Sequence, residues 1–233
     1  MKSSADSNPA AARTAALLFE FDHLVANIRE ATLDVLKTIF EDQDLQPLHV
    51  SRYALNATPQ KTVEQLQAAL GVKKGPAKKL ADELTNGILM YLETGNIQVS
   101  DALRDVVVQA RDRGMPVYAL TALPENSRAL LEDRLDLPGL GIEYVPFGSQ
   151  LEAFPRADAW LKMCKDHELL APVSLALTTS MSATKAAMTA GVHCVAIPDR
   201  FTAFQDFSGC QDVVDSPADI DLSKVLKQNY ARA

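Results

Sequence analysis

The chain has 233 residues, of which 47% are hydrophobic and 23% are charged, and its formal net charge is −7. This composition is typical of a globular protein, and the negative charge argues against a general nucleic-acid or membrane-surface binder, which needs a basic surface. No stretch approaches the roughly 18 consecutive apolar residues of a membrane span. Three cysteines without a CxxC pair, Cys164, Cys194 and Cys210, favour reduced thiols in a cytoplasmic protein.

Residues 1–13 are small and polar and lack the apolar segment of a secretory signal, so we expect a flexible leader. Beyond them, short apolar runs are typical of strands buried on both faces: Ala15–Phe21, Pro116–Thr121, Ile142–Phe147, Val173–Leu177 and Val192–Ile197. Helical patterns alternate with these runs at Asp101–Arg113, Asn126–Leu135, Asp158–Leu169 and Ser182–Ala190. The alternation predicts an α/β fold with a Rossmann-like, doubly wound parallel sheet, whose ligands bind beyond the carboxyl ends of the strands.

One segment, residues 28–97, breaks this alternation. Helical patterns at Ile28–Phe40, Pro59–Leu70 and Pro76–Leu92 follow one another there without a strand-like run between them. We therefore predict an α-helical cap at 28–97, inserted into a core that consists of residues 14–27 and 98–233.

Four motifs carry a resemblance to a known family. They are LLFEFDHLV at the end of the first strand, VYALTAL at the end of the second, FPRADAWL from position 154, and LTTSMSATKAAMTAGVHCVAIP from position 177. In order and spacing they resemble the haloacid dehalogenase-like (HAD) hydrolase superfamily. The helical insertion after the first motif places the likeness in the branch of phosphoglycolate phosphatase and β-phosphoglucomutase.

The resemblance implies a mechanism for phosphoryl transfer. The family's first aspartate attacks phosphorus, and a second aspartate two residues later protonates the leaving group and then activates water. Mg²⁺, held by the first aspartate and an acidic residue of the fourth motif, neutralises phosphate charge together with a lysine. In this chain Glu20 lies at the nucleophile position, Asp22 at the acid/base position and Thr121 at the phosphate-binding position.

Several positions depart from the family pattern. Glu20 replaces the nucleophilic aspartate, Phe154 replaces the lysine, His23 and Leu24 replace Gly and Thr, and Thr178–Thr179 replace the acidic pair, with Ser180 retained. One extra methylene moves the carboxylate by about 1.5 Å, and a misplacement of about 1 Å can cost on the order of 100-fold in rate. Loss of the lysine removes a preorganised positive charge, which by analogy with other electrostatic stabilisers costs about 3–4 kcal/mol of transition-state stabilisation. The sequence predicts that ordinary phosphatase activity is lost or very weak.

Two functional hypotheses remain open at this stage. The first is a non-catalytic binding or regulatory module, with no cofactor, that accepts a small-molecule or anionic ligand in the cleft between cap and core, or a protein partner or second copy of the chain. The second is a small-molecule phosphatase or related hydrolase with residual or repurposed chemistry at Glu20 and Asp22, which would then also be weak Mg²⁺ ligands.

Individual side chains also allow two roles each. Thr121, Thr178, Thr179 and Ser180 are candidates for ligand or phosphate binding, or simply end a strand and begin the next helix. His23 is a candidate acid/base group or a loop residue. Arg156 and Lys185 are candidates to replace the missing lysine, with a surface position as the alternative.

Overall fold

The computed structural model describes residues 14–55, 57–147 and 156–230. Its six strands form one parallel sheet in the order β3-β2-β1-β4-β5-β6. The strands are β1 Leu17–Glu20, β2 Val117–Thr121, β3 Ile142–Pro146, β4 Leu175–Thr178, β5 His193–Ala196 and β6 Asp212–Val213. This topology confirms the predicted doubly wound α/β sheet. Strand β6 was not predicted, because two exposed edge residues carry no hydrophobic pattern. The predicted leader and Phe154 lie outside the described residues.

Strands β1, β2 and β4 are buried on both faces, as their continuous apolar runs predict, whereas Glu143 and Pro146 of the edge strand β3 are exposed. On one face Leu17 and Phe19 of β1 join a hydrophobic cluster. On the other face Leu18 joins a second cluster, which contains the fully buried Trp160. Successive side chains of a strand point to opposite faces, so both must be covered by helices. These are α6 Asp101–Arg111, α7 Glu125–Arg134, α8 Leu137–Leu140, α9 Ala157–Asp166, α10 Met181–Thr189 and α11 Leu222–Tyr230.

The strand order reverses between β1 and β4. These two strands are neighbours, with Phe19 opposite Leu177, although residues 21–174 separate them in sequence. In doubly wound sheets the crevice at such a reversal, beyond the carboxyl ends of the strands, is where ligands bind. The two sequence motifs with the most departures, around Glu20 and Thr179, both end at this crevice.

A helical insertion follows β1 directly. After one short helical turn, α1 Phe21–Leu24, it consists of α2 Ile28–Ile39, α3 Pro47–Tyr53, α4 Pro59–Leu70 and α5 Ala77–Thr94. Helix α3 lies in a stretch where no separate helix is predicted from the hydrophobic pattern. No helix in the described ranges is long and apolar enough to cross a membrane.

Helices α2 and α5 approach closely at Gly87. A Cβ built on Gly87 would lie 2.7 Å from both γ-methyl groups of Val35, and a β-branched side chain in a helix has little rotamer freedom to move aside. We predict that Gly87→Ala lowers the free energy of unfolding by about 1 kcal/mol, because overpacking outweighs the roughly 1 kcal/mol gain in helix propensity. Denaturant unfolding measures the change.

The Val35→Ala background supplies the control. With the γ-methyl groups removed, the nearest Val35 atom is its Cβ at 3.3 Å, and Gly87→Ala should become stabilising by less than about 1 kcal/mol because most of the overpacking is relieved. If Gly87→Ala has the same sign in both backgrounds, α2 and α5 do not pack in this way.

Candidate functional site

Glu20, the last residue of β1, has a fully buried carboxylate. The Thr179 hydroxyl donates to its Oε2 (2.6 Å) and the Thr179 amide donates to its Oε1 (3.3 Å). Burial raises the pKa of Glu20 to about 7, against the opposing effect of the nearby Arg29 guanidinium and the two Thr179 hydrogen bonds. Near neutral pH the group at the nucleophile position therefore carries only part of a negative charge.

Asp22 is held by the end of strand β2. The Thr121 hydroxyl donates to its Oδ1 (2.5 Å) and the Ala122 amide to its Oδ2 (2.9 Å). Burial raises the pKa of Asp22 to about 6, and these two hydrogen bonds limit the increase. Thr121 Oγ1 also accepts from the Leu123 amide (3.1 Å). The hydroxyl that the resemblance assigns to phosphate binding is thus engaged within the protein.

Arg29 is the cation of this site, and sequence reasoning missed it. It is the second residue of α2 and is 6% exposed. Its Nη2 donates to Thr179 Oγ1 (3.0 Å) and its Nη1 to Asp199 Oδ2 (2.6 Å), while its Nε is buried without a hydrogen-bond partner. The family's lysine position corresponds to Phe154, which is far from Arg29 in sequence. A basic residue nine positions after Glu20, where β1 leads into the insertion, was the signal available in the sequence.

His23 replaces the glycine of the family's first motif without backbone strain. Its φ is not positive, because residues 21–24 form a helical turn closed by hydrogen bonds from the Val25 and Ala26 amides to the Phe21 carbonyl. The side chain is half-buried, and its Nδ1 is buried without a partner. Burial, with a smaller effect of Arg29, lowers its pKa well below the ordinary range. The imidazole is therefore neutral at pH 7.

The other candidates divide into local and surface positions. Thr178 Oγ1 pairs with Thr184 Oγ1 (2.7 Å), and Ser180 Oγ accepts from the Ala183 amide (3.3 Å) as the N-cap of α10. Both serve the strand-to-helix connection, while Thr179 hydrogen-bonds to the Glu20 carboxylate. Arg156 and Lys185 are exposed, at the start of α9 and on α10. The structure brings neither of them to the two carboxylates.

A cavity of about 70 Å³ lies beside this site, between Asp22 and His23 and the helices of the insertion. Its polar lining is Asp22, His23, Arg29, Thr32 and Thr62, and its apolar wall includes Ile28, Val50, Leu84 and Ile88. That volume accommodates water molecules or a small polar group, whereas pockets for ordinary small ligands measure roughly 300–1,000 Å³.

The residues present do not fit the divalent metal that the resemblance implies. Mg²⁺ demands near-octahedral oxygen ligands. Within the described ranges, no three His, Cys, Asp or Glu side chains form a group that could hold a metal ion. Each carboxylate oxygen of Glu20 and Asp22 already accepts a hydrogen bond, and the adjacent Arg29 would repel a divalent cation.

No family model matches the chain. The protein CbbY of Cereibacter sphaeroides is 24% identical over 140 residues, which is 58% of this chain and 60% of CbbY. The chain thus matches about three fifths of the length of that curated relative.

Solved structures match over almost the whole chain. CbbY from Rhodobacter sphaeroides in complex with phosphate has a TM-score of 0.66 at 16% identity and covers 89% of this chain and 96% of its own. A predicted phosphoglycolate phosphatase from Haemophilus somnus has a TM-score of 0.72 at 16% identity, and the match covers 91% of this chain and 97% of that protein. A putative β-phosphoglucomutase from Thermotoga maritima has a TM-score of 0.59 at 14% identity, and the match covers 94% of this chain and 100% of that protein. The chain therefore has the fold of the HAD-family hydrolases with a helical cap, the family that its motifs resemble.

Proposed function

We propose that this protein is a non-catalytic member of the HAD-like fold, whose cleft between sheet and insertion serves binding or regulation and not phosphoryl transfer. The observation that carries the proposal is the enclosure of Glu20. Its carboxylate is fully buried, hydrogen-bonded through both oxygens to Thr179 and partly protonated near neutral pH. An attacking carboxylate must instead be ionised and aligned within about 3–3.5 Å of phosphorus.

The charge of the cluster supports the same proposal. The Arg29 guanidinium is paired with Asp199 and lies close to the Glu20 carboxylate. Asp22 lines the same cavity as Arg29, and His23 is neutral. A phosphate dianion entering this cluster would meet net negative charge, and unpaired charge in a buried site is costly. The charge balance therefore favours a neutral small molecule over the anionic ligand that the sequence also allowed.

The competing function is residual phosphatase or hydrolase chemistry at Glu20 and Asp22. One observation favours it, since Arg29 is a cation close to Glu20, and one structural neighbour is described as a predicted phosphoglycolate phosphatase. Against it, the Nη1 of Arg29 is paired with Asp199 and its Nη2 donates to Thr179. A guanidinium whose charge is balanced within the protein has less left to stabilise a transferring phosphoryl group.

The proposal includes the division of the chain into a cap at residues 28–97 and a core at 14–27 and 98–233. The cleft between them would accept a small-molecule ligand. The alternative occupants are a protein partner or a second copy of the chain. A cytoplasmic location fits the three free thiols, of which Cys164 and Cys194 are buried and have pKa values raised by burial.

The first test is a phosphatase screen over many phosphorylated metabolites with Mg²⁺. We expect the wild type to release phosphate no faster than the Glu20→Gln variant, because the Glu20 carboxylate is enclosed by Thr179. The measurement is phosphate release by each purified protein at equal concentration.

The matched control is Glu143→Gln, which changes an exposed carboxylate on β3. A contaminating phosphatase would give the same background in all three preparations. Turnover that the wild type and Glu143→Gln share and that Glu20→Gln lacks would refute the non-catalytic proposal and establish the competing one.

The raised pKa of Glu20 predicts a specific pH dependence of stability. The folded protein holds the Glu20 proton up to about pH 7, whereas the unfolded chain releases it at about pH 4.3. The resulting contribution of Glu20 to the free energy of unfolding is present at low pH and is lost as the pH rises through 7. Between pH 5 and pH 8 we expect the free energy of unfolding of the wild type to fall by about 2.5 kcal/mol more than that of Glu20→Gln. Denaturant titrations across this range provide the measurement.

Other titrating groups are common to both proteins and cancel in the difference. Glu143→Gln serves again as control and should follow the wild-type curve. Parallel curves for wild type and Glu20→Gln would mean that Glu20 is ionised in the folded protein at pH 5.

A further inference from the structure

The Glu20–Thr179 pair occupies the two positions between which the resemblance implies a divalent cation. Here the positions touch, because the Thr179 hydroxyl donates to Glu20 Oε2 at 2.6 Å. The Arg29 guanidinium lies next to this hydroxyl, because its Nη2 donates to Thr179 Oγ1 at 3.0 Å. The guanidinium is thus one hydroxyl away from the buried carboxylate, close enough to lower its pKa against the effect of burial.

Arg29 is held in place from two sides of the crevice. Thr179 follows β4, and Asp199 follows β5 and accepts from Arg29 Nη1 at 2.6 Å. Asp199 is itself oriented, since its Oδ1 accepts from the Phe201 amide (2.8 Å) and the Thr202 hydroxyl (3.0 Å). A nearly buried guanidinium with this many fixed partners is part of the folded structure and cannot exchange with solvent as a bound metal does.

The chain that supplies Arg29 belongs to the insertion. The residue after it, Glu30, forms an ion pair with Arg200, and Ser51 of α3 donates to the Phe201 carbonyl. All three contacts join the insertion to the same loop, residues 199–201, at the carboxyl end of β5. The cation therefore also ties the insertion to the sheet.

We propose that the Arg29 guanidinium is a built-in cation that takes the place of the divalent metal and positions Glu20, Thr179 and Asp199. This inference rests on the proposed loss of phosphoryl transfer and explains how the buried carboxylates are tolerated without a metal. It also explains the fourth motif, because a hydroxyl can accept from a guanidinium and donate to a carboxylate at once, as Thr179 does.

The test is chemical rescue of Arg29→Ala, followed by thermal unfolding. Removing the guanidinium leaves Glu20 and Asp199 without their buried partner, and we expect the Tm to fall by about 10 °C. Millimolar methylguanidinium should raise the Tm of this variant by about 4 °C, as a ligand that fills the vacated position, and leave the wild type unchanged. Arg200→Ala, which removes the neighbouring exposed ion pair, should change the Tm by about 1 °C and show no rescue.

Magnesium titration by calorimetry provides an independent readout. The wild type and Arg29→Lys both keep a positive charge at this position, and neither should bind Mg²⁺ at submillimolar concentrations. This measurement can be made even if Arg29→Ala does not fold. Submillimolar Mg²⁺ binding to the wild type, or equal effects of Arg29→Ala and Arg200→Ala without rescue, would overturn the inference. If the wild type binds Mg²⁺ but shows no turnover, the role proposed for Arg29 is refuted and the non-catalytic proposal stands. If the wild type turns over substrate without a metal, the non-catalytic proposal is refuted and the role of Arg29 stands.

Discussion

A carboxylate buried at the end of the first strand is the constraint on which the rest of the site depends. Removing Glu20 from water is costly, and a protein reduces that cost by hydrogen bonds, by a partner of opposite charge or by protonation. All three are present here. Thr179 donates two hydrogen bonds, Arg29 supplies the charge, and the pKa of Glu20 is nevertheless raised to about 7. The local chemistry is that of an enclosed polar network.

This network joins parts of the chain that are far apart in sequence. Arg29 lies at the start of the helical insertion, and its partners follow strands β4 and β5, 150 and 170 residues later. The insertion is therefore connected to the sheet by buried polar contacts as well as by its apolar faces. Its separation from the sheet would break an ion pair with a nearly buried guanidinium, which is far more costly than parting two exposed charges.

The fold and the chemistry have different determinants. A doubly wound sheet needs only apolar strands and amphipathic helices in alternation, and these tolerate many substitutions. Phosphoryl transfer needs particular groups at fixed distances, and one changed residue can remove it. Structural neighbours at 12–16% identity share the fold with this chain, and at that distance the fold alone does not specify an activity.

The sequence by itself determined the architecture and pointed to one end of the sheet. Unbroken apolar runs predict strands covered on both faces. The carboxyl ends of parallel strands share one edge, and there Asp22 meets Thr121 and Glu20 meets Thr179. Only the tertiary structure decided which cation faces Glu20. Local patterns govern helices and strands, whereas a contact across 150 residues depends on how the insertion packs on the sheet. That packing brings Arg29 to Thr179 and leaves Arg156 and Lys185 on the surface.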